Sequence, residues 1–300
     1  MRPFNAFRRQ PSADAPAAPD HFSVRGRTVL ITGAALGMGL LHAHRAAQDG
    51  AATVVLWDRS SEGLDAAVAE LEAAHPATAF RTDTVDLAVL EEITRTAEAV
   101  LAELGAPDLL INNAGVVTGA YFWEHDPARD IHTTLAVNAE APMQVTRAFL
   151  PALLERGTAA RLVTIASAAG LLSNPRMSVY AASKWAAVGW SDSLRLELEQ
   201  AGHRQVKVLT VCPSYISTGM FAGATGPALT PIMEPAYVVD RIWKALVPAP
   251  AFLMLPSSVR LSAFLKGLLP PRVFDVVVGR GLGVYSSMSA FTGRQGSPRA

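Results

Sequence analysis

Six apolar, β-branched runs recur along the chain with helix-patterned stretches between them, and this alternation constrains the fold more than any other feature. The runs are TVLIT (28–32), TVVLW (53–57), TAFRTDTV (78–85), DLLIN (108–112), RLVTIAS (161–167) and VKVLTVC (206–212). Segments such as GLLHAHRAAQDG and EGLDAAVAELEAAH separate them, with apolar residues at helical spacing. Repeated strand–helix units of this length predict an α/β architecture: a doubly wound parallel sheet with right-handed crossovers and helices on both faces. Strands that are apolar almost throughout fit a sheet covered on both sides. FLMLP (252–256) reads as a final strand. With 300 residues, half of them apolar, the chain can bury one large core. The expected organisation is a flexible tail over residues 1–22, a single domain over 23–256, and a C-terminal amphipathic extension over 257–300.

Composition excludes several classes of function. Twenty-six basic residues balance 26 acidic ones, so no overall field attracts nucleic acid. Cys212 is the only cysteine, which rules out an internal disulfide and fits a reducing, cytoplasmic compartment. No metal site is expected, because His42 and His44 are two apart on a helix and point to different sides. No apolar run reaches the ~18 residues of a membrane span. The first twenty residues hold no unbroken apolar signal core, and Pro3, Pro11, Pro16 and Pro19 oppose a long amphipathic helix there.

In such sheets ligands bind beyond the carboxyl ends of the strands, where strand order reverses. Directly after the first strand comes TGAALGMG (32–39), in which Thr32, Gly33, Leu36, Gly37, Met38 and Gly39 lead into a helix. Glycines there permit positive φ and close approach of backbone N–H groups to a pyrophosphate at the helix N-terminus. Asp58 ends the second strand, about 25 residues beyond Gly33, near the offset at which a carboxylate meets the adenosine ribose. That carboxylate favours NAD by repelling a 2′-phosphate, while the adjacent Arg59 keeps NADP possible. The alternative for Asp58 is the cap of the helix starting near Ser60. Asp86 and Leu87 end the third strand as adenine contacts or as a cap. NNAG (112–115) places Asn113, Ala114 and Gly115 after the fourth strand, where asparagines tie loops together and a glycine admits a ribose.

Ser167 ends the fifth strand, and Tyr180 and Lys184 follow on a helix, four residues apart and on one face. Removing a hydride from an alcohol requires an acceptor for the hydroxyl proton, and a phenol of ordinary pKa, about 10, is a poor one at neutral pH. A nearby ammonium and an oxidised nicotinamide both favour phenolate and should lower that pKa. Ser167 would hold the substrate oxygen, and the same groups run backwards for carbonyl reduction. Taken alone, a helical Tyr–Lys pair reads more readily as a packed ring beside a solvated charge, and it is the coordination of Ser167, Tyr180 and Lys184 that reverses this.

TGAALGMG, NNAG, VNAEAP (137–142), Ser167, YAASK (180–184) and CPSYIST (212–218) together resemble the short-chain dehydrogenase/reductase family over roughly residues 24 to 220. The resemblance implies a Rossmann sheet of about seven strands, a nicotinamide cofactor and a catalytic tetrad of Asn138, Ser167, Tyr180 and Lys184. In it, Asn138 supports a water-linked proton path, Lys184 also binds the nicotinamide ribose, and Pro213, Ile216 and Thr218 lie near the carboxamide. Ser214 stands where the family motif has glycine. VVLWD and NNAGVV look similar to the retinol and 17β-hydroxysteroid dehydrogenase branch, which implies a small lipophilic alcohol or ketone as substrate, and the family implies a homodimer or homotetramer. The rival from another class is a non-catalytic dinucleotide sensor or scaffold, against which the intact Asn, Ser, Tyr and Lys set argues.

Beyond residue 218, the Gly/Pro-rich stretch at 219–235 reads as a substrate loop. The extension over 257–300 mixes apolar residues with Arg260, Lys266, Arg272 and Arg280. Its readings are packing against the sheet, cover for an apolar pocket, docking on a second subunit, or peripheral contact with a membrane surface. The closing MSAFTGRQGSPRA (288–300) reads as exposed.

Overall fold

A computed structural model describes residues 22–228 and 230–293. The expected tail lies outside the described residues except for Phe22. That residue is buried, with the Arg161 guanidinium 4.4 Å from its ring centroid.

Seven parallel strands form one sheet in the order β3-β2-β1-β4-β5-β6-β7. They are β1 (Thr28–Thr32), β2 (Thr53–Asp58), β3 (Ala79–Thr84), β4 (Leu109–Asn112), β5 (Ala160–Ile165), β6 (Val206–Pro213) and β7 (Phe252–Leu255). Alternate residues of the five inner strands enter opposite cores, as the pleat requires, while the edge strands β3 and β7 pack on one side only. Val29, Ile31, Val54, Leu56, Leu109 and Ile111 face α1 (Gly37–Gln48), α2 (Ser61–Ala74) and, further along the sheet, the helix that precedes β7. Leu30, Val55, Trp57 and Leu110 face α3 (Leu90–Leu104) and the helices that follow it.

The segment after β4 winds through a π-turn at Pro127–His132, the short α4 (Thr133–Leu135) and a second π-turn at Ala136–Glu140 before α5 (Ala141–Arg156). The long α6 (Ser178–Gln200) links β5 to β6, and α7 (Pro235–Ala245) returns the chain to β7 on the first face. Chain order reverses between β1 and β4, so the carboxyl ends of these two strands open the crevice to which the sequence motifs were assigned.

After β7 come α8 (Ser257–Leu268), α9 (Pro271–Phe274), a π-turn at Asp275–Gly281 and a 3-10 turn at Val284–Ser286. The chain then folds back across the 219–235 loop. Ala228 N–H donates to the Leu282 carbonyl (2.8 Å), Thr225 N–H to Ser287 (2.9 Å) and Thr292 N–H to Ala222 (2.9 Å). Of the stretch expected to be exposed, residues 294–300 lie outside the described residues; Ser289, Ala290 and Thr292 are exposed, whereas Met288 and Phe291 turn inward. Met288 is 1% exposed, and Phe291 lies so close to Gly119 that a Cβ there would fall 2.3 Å from its ring. Glycine-poor strands and capped helices announce themselves locally, whereas this strap is held by distant partners.

His42 on α1 is fully buried, and its Nδ1 accepts a hydrogen bond from Trp243 Nε1 of α7 (2.9 Å) while Nε2 has no partner. Burial drives its pKa from 6.5 down to about 3. The unfolded chain therefore takes up this proton first as the pH falls. The stability that neutral His42 contributes is fully present above about pH 6.5 and is lost progressively as the pH drops toward 3. His42→Gln keeps an acceptor for Trp243 and removes the titration. Urea unfolding at a series of pH values should show the mutant losing about 1.4 kcal/mol less per pH unit than the wild type between about pH 6 and pH 4.

Candidate active site

The glycine loop is shaped by what it excludes. Gly33 has φ +65°, and a Cβ on it would fall 2.9 Å from Ala114 Cα; a Cβ on Gly39 would fall 2.0 Å from the Gly33 carbonyl oxygen. Both positions therefore need glycine, the first for its φ and both for close approach. The first turn of α1 has no side-chain cap and no acidic residue, so its N–H groups are free to meet an anion. This donor set and the loop's shape fit a dinucleotide pyrophosphate. Leu36 stands at the N-cap with its side chain exposed, and Met38 packs against the core.

Asp58 sits at the end of β2 with Oδ2 accepting from Ala35 N–H (3.1 Å) and Oδ1 from Ser60 N–H (3.1 Å). The cap of α2 is Ser60, whose Oγ accepts from Gly63 N–H (3.1 Å). Asp58 thus ties its strand to the glycine loop and keeps its carboxylate at the crevice rim; Arg59 beside it is exposed. Asp86 serves its own turn, accepting from Ala88 N–H (2.9 Å), while Leu87 is buried.

Thr32 and Asn113 form a reciprocal clamp. The Thr32 hydroxyl accepts from the N–H groups of Asn113 and Ala114 (both 3.1 Å), and Asn113 Nδ2 donates to the carbonyls of Thr32 (2.9 Å) and Gly33 (3.1 Å). Both side chains are engaged in holding the loops after β1 and β4. Gly37 approaches Thr218, whose side chain lies 3.9 Å from where a Cβ on Gly37 would stand. Pro213 ends β6, and Ile216 is buried and bridges to Met233. Ser214, where the family motif has glycine, is not among the non-glycine residues with positive φ, so its side chain adds no backbone strain.

The reacting side is assembled on α6. Ser167 caps the 3-10 turn Ala168–Gly170 through its Oγ, which accepts from Ala169 N–H (3.1 Å). A Cβ on Gly170 would fall 2.6 Å from the Lys184 carbonyl, so this turn lies directly on the backbone of α6. Tyr180 and Lys184 are each 4% exposed. Lys184 Nζ donates to the Ile165 carbonyl (2.9 Å) and stands 5.8 Å from the centroid of the Tyr180 ring. Asn138, in the second π-turn, accepts from Val116 N–H (2.8 Å) and donates through Nδ2 to the Val116 carbonyl (2.8 Å) and Ser183 Oγ (3.0 Å). One amide hydrogen thus holds the loop after β4 and the other ties it to α6. Gly115 in that loop allows Asn138 and Lys184 to come close, a Cβ there lying 3.3 Å from Asn138 Oδ1 and 3.6 Å from Lys184 Nζ.

Electrostatically, burial prevails. It pushes the Tyr180 phenol up to about 12, with Ser167 hydrogen bonding opposing and Tyr215 adding to the rise. It brings Lys184 down to about 8, partly opposed by Cys212. The ammonium is turned toward the Ile165 carbonyl, and the lowering of the phenol's pKa expected from the Tyr–Lys spacing does not overcome its desolvation.

A cavity of about 60 Å³ opens beside Ser167, lined mainly by apolar groups including Met177, Tyr215, Phe221, Val259 and Val284. Phe221 meets the rings of Tyr180 and Tyr215 edge-on, at 5.9 and 5.3 Å between centroids. Met288 packs into the same cluster. Tyr215 OH shares a hydrogen bond with Ser287 Oγ (2.7 Å), and Asn174 Nδ2 donates to both (3.0 and 2.9 Å). Asn174, Tyr215, Ser287 and Met288 were not singled out from sequence. Only Tyr215 carried a local signal, lying between the family residues Pro213 and Ile216.

The pattern of short chain dehydrogenases matches residues 27–226. The chain belongs to the short-chain dehydrogenase family of oxidoreductases. The mouse (Mus musculus) epidermal retinol dehydrogenase 2 is 37% identical to this short-chain dehydrogenase over 275 residues, 91% of this chain and 87% of the relative. Estradiol 17-beta-dehydrogenase 11 of Homo sapiens is 37% identical over 256 residues, 85% and 83% of the two chains. A short-chain dehydrogenase/reductase from Burkholderia phymatum, solved in complex with NAD, superposes with a TM-score of 0.74 at 26% identity, covering 87% of this chain and 98% of that one. A metagenomic short-chain oxidoreductase solved with NADP gives 0.66 at 30% identity, over 78% and 98%.

Because Met288 closes the cluster around Tyr180, Met288→Ala in this dehydrogenase should raise KM for a lipophilic substrate about tenfold while changing kcat less than about threefold. Steady-state kinetics with cofactor saturating would measure it, and an unchanged KM would remove the strap from the pocket.

Proposed function

We propose that this dehydrogenase interconverts a small lipophilic alcohol and the corresponding ketone or aldehyde, prefers NAD to NADP, and uses Tyr180 as the proton-transferring group. The observation that carries the reading is the burial of Tyr180 and Lys184 one turn apart on α6, with Ser167 alongside and an apolar cavity beyond. When bound, a nicotinamide dinucleotide supplies the hydride acceptor for oxidation or the donor for reduction.

The chain's own residues do the rest. Ser167 offers a hydroxyl to the substrate oxygen. Tyr180, held as a neutral phenol by burial, carries the proton needed for carbonyl reduction and gives it up to the alkoxide that forms. In the oxidative direction it must give up its proton, and a positive charge brought beside it lowers the cost of doing so. Lys184 supplies a cation at the back of the ring, held in place by the Ile165 carbonyl. Asn138 fixes the loop that borders this lysine. Relatives named for retinol and estradiol, together with the apolar lining, support a lipophilic substrate. Assembly as a homodimer or homotetramer belongs to the same reading and is supported by the family; a reducing, cytoplasmic setting is supported by the single buried thiol of Cys212.

Two substitutions test the proposal. Tyr180→Phe should cut kcat by about 10²–10⁴-fold while leaving NAD binding within about twofold, read by absorbance at 340 nm and by cofactor titration. Full turnover in this variant would end the tyrosine mechanism. Asp58→Asn keeps an acceptor for Ala35 N–H but removes the charge, and should raise the NADP-to-NAD ratio of kcat/KM about tenfold. A ratio that does not move would mean that cofactor choice lies elsewhere.

A further inference from the structure

The helix α8 has a mixed face against the protein and an apolar face in solvent. Toward the protein it contributes Val259 and Ser262 to the cavity wall, and Lys266 reaches back, its Nζ donating to the Leu171 carbonyl (3.1 Å) and lying 4.3 Å from the Trp185 ring centroid. Away from the protein it exposes Leu261, Phe264 and Leu268, a stripe at spacings of three and four residues, with Phe264 and Leu268 each 65% exposed. The next turns continue the theme with exposed Val273, Val276 and Val277. Six large apolar side chains in water across 17 residues of chain are more than scattered surface hydrophobes explain.

The charges around them have one sign. Between residues 257 and 293 there are four cations, Arg260, Lys266, Arg272 and Arg280, against one carboxylate, Asp275, a formal +3 in a chain whose total is zero. That carboxylate is taken up by a hydrogen bond from Tyr285 OH. Arg260, Arg272 and Arg280 are exposed beside the apolar stripe. Apolar side chains flanked by basic residues on short, polar-backed helices match the requirements of a helix lying in the interface of an anionic bilayer, where greasy groups enter the acyl boundary and cations meet lipid phosphates. Among the described residues, no helix is long and apolar enough to cross a membrane.

We propose that the face formed by α8, α9 and the π-turn at Asp275–Gly281 docks on an anionic lipid bilayer. One consequence rests on the functional reading above: because α8 also walls the cavity, docking brings a membrane-dissolved alcohol to the pocket without a passage through water.

The test uses the full chain with vesicles alone, without cofactor or substrate. Wild type should sediment with phosphatidylcholine vesicles containing about 30 mol % phosphatidylserine, bind pure phosphatidylcholine about tenfold more weakly, and release at about 0.5 M salt. Phe264→Glu/Leu268→Glu and, separately, Arg260→Glu/Arg272→Glu should each weaken binding about tenfold or more. Turnover of a water-soluble alcohol in free solution checks that these variants are folded. Absence of wild-type binding, or binding unaffected by the Phe264/Leu268 pair, overturns the proposal. So does a change from a larger to a smaller species on gel filtration in that pair with vesicle binding intact, which would assign the face to a second copy of the chain. Vesicle binding without turnover would sink the reaction and leave the docking standing; turnover in solution without vesicle binding would do the reverse.

Discussion

A reciprocal set of hydrogen bonds at the point where the sheet divides holds the rest of the site in place. Between β1 and β4 the connections leave in opposite directions, so nothing in the sheet ladder itself ties the two following loops together. The Thr32 hydroxyl and the Asn113 amide do so, each reaching the other's backbone. With that clamp set, Gly33 can lie against Ala114, and Gly39 can bring α1 down onto the loop. The loop after β4 is then passed on to Asn138, which holds Val116 and, through Ser183, reaches α6. The nucleotide side and the reacting side are therefore connected by polar contacts made almost wholly to backbone, and such contacts cost stability when a partner is lost in a buried setting.

Desolvation then decides the chemistry at rest. Neither Tyr180 nor Lys184 carries its solution pKa: burial moves the phenol up and the ammonium down, so both tend toward neutrality. A spacing argument weighs the attraction between cation and phenolate, but not the cost of removing both from water. That cost is the larger here, because the ammonium is directed at a carbonyl. The neutral phenol is therefore the resting form of Tyr180 at neutral pH, and only a positive charge brought close to the ring lowers the cost of ionising it.

The frame of the molecule was legible because it repeats. Apolar runs alternating with helical spacing predict the sheet, and each strand from TVLIT to FLMLP lies within a residue or two of its expected place. The site residues after β1, β2, β4, β5 and β6 were readable because small, polar and glycine residues interrupt apolar runs at strand ends. Their division of labour was legible only in part. The loop-tying role of the asparagines after β4 could be read from the sequence, but not the partners: Asn113 ties its loop to the backbone of Thr32 and Gly33, and Asn138 divides its amide between Val116 and Ser183. Met288 and Ser287 had no period or flanking signal, since their partners Tyr180, Tyr215 and Asn174 lie more than 70 residues away in the chain. The packing of Phe22 against Arg161 was invisible to any local window for the same reason.

The pairing of residues 222–228 with 282–292 joins the two segments that border the pocket. They are distant in sequence but share main-chain hydrogen bonds, so neither can swing far while the other stays. The entrance therefore behaves as a double door with a common latch. Side chains on one leaf, such as Phe221, and on the other, such as Val284, line the cavity together, and a change of bulk on either leaf alters the space that both define.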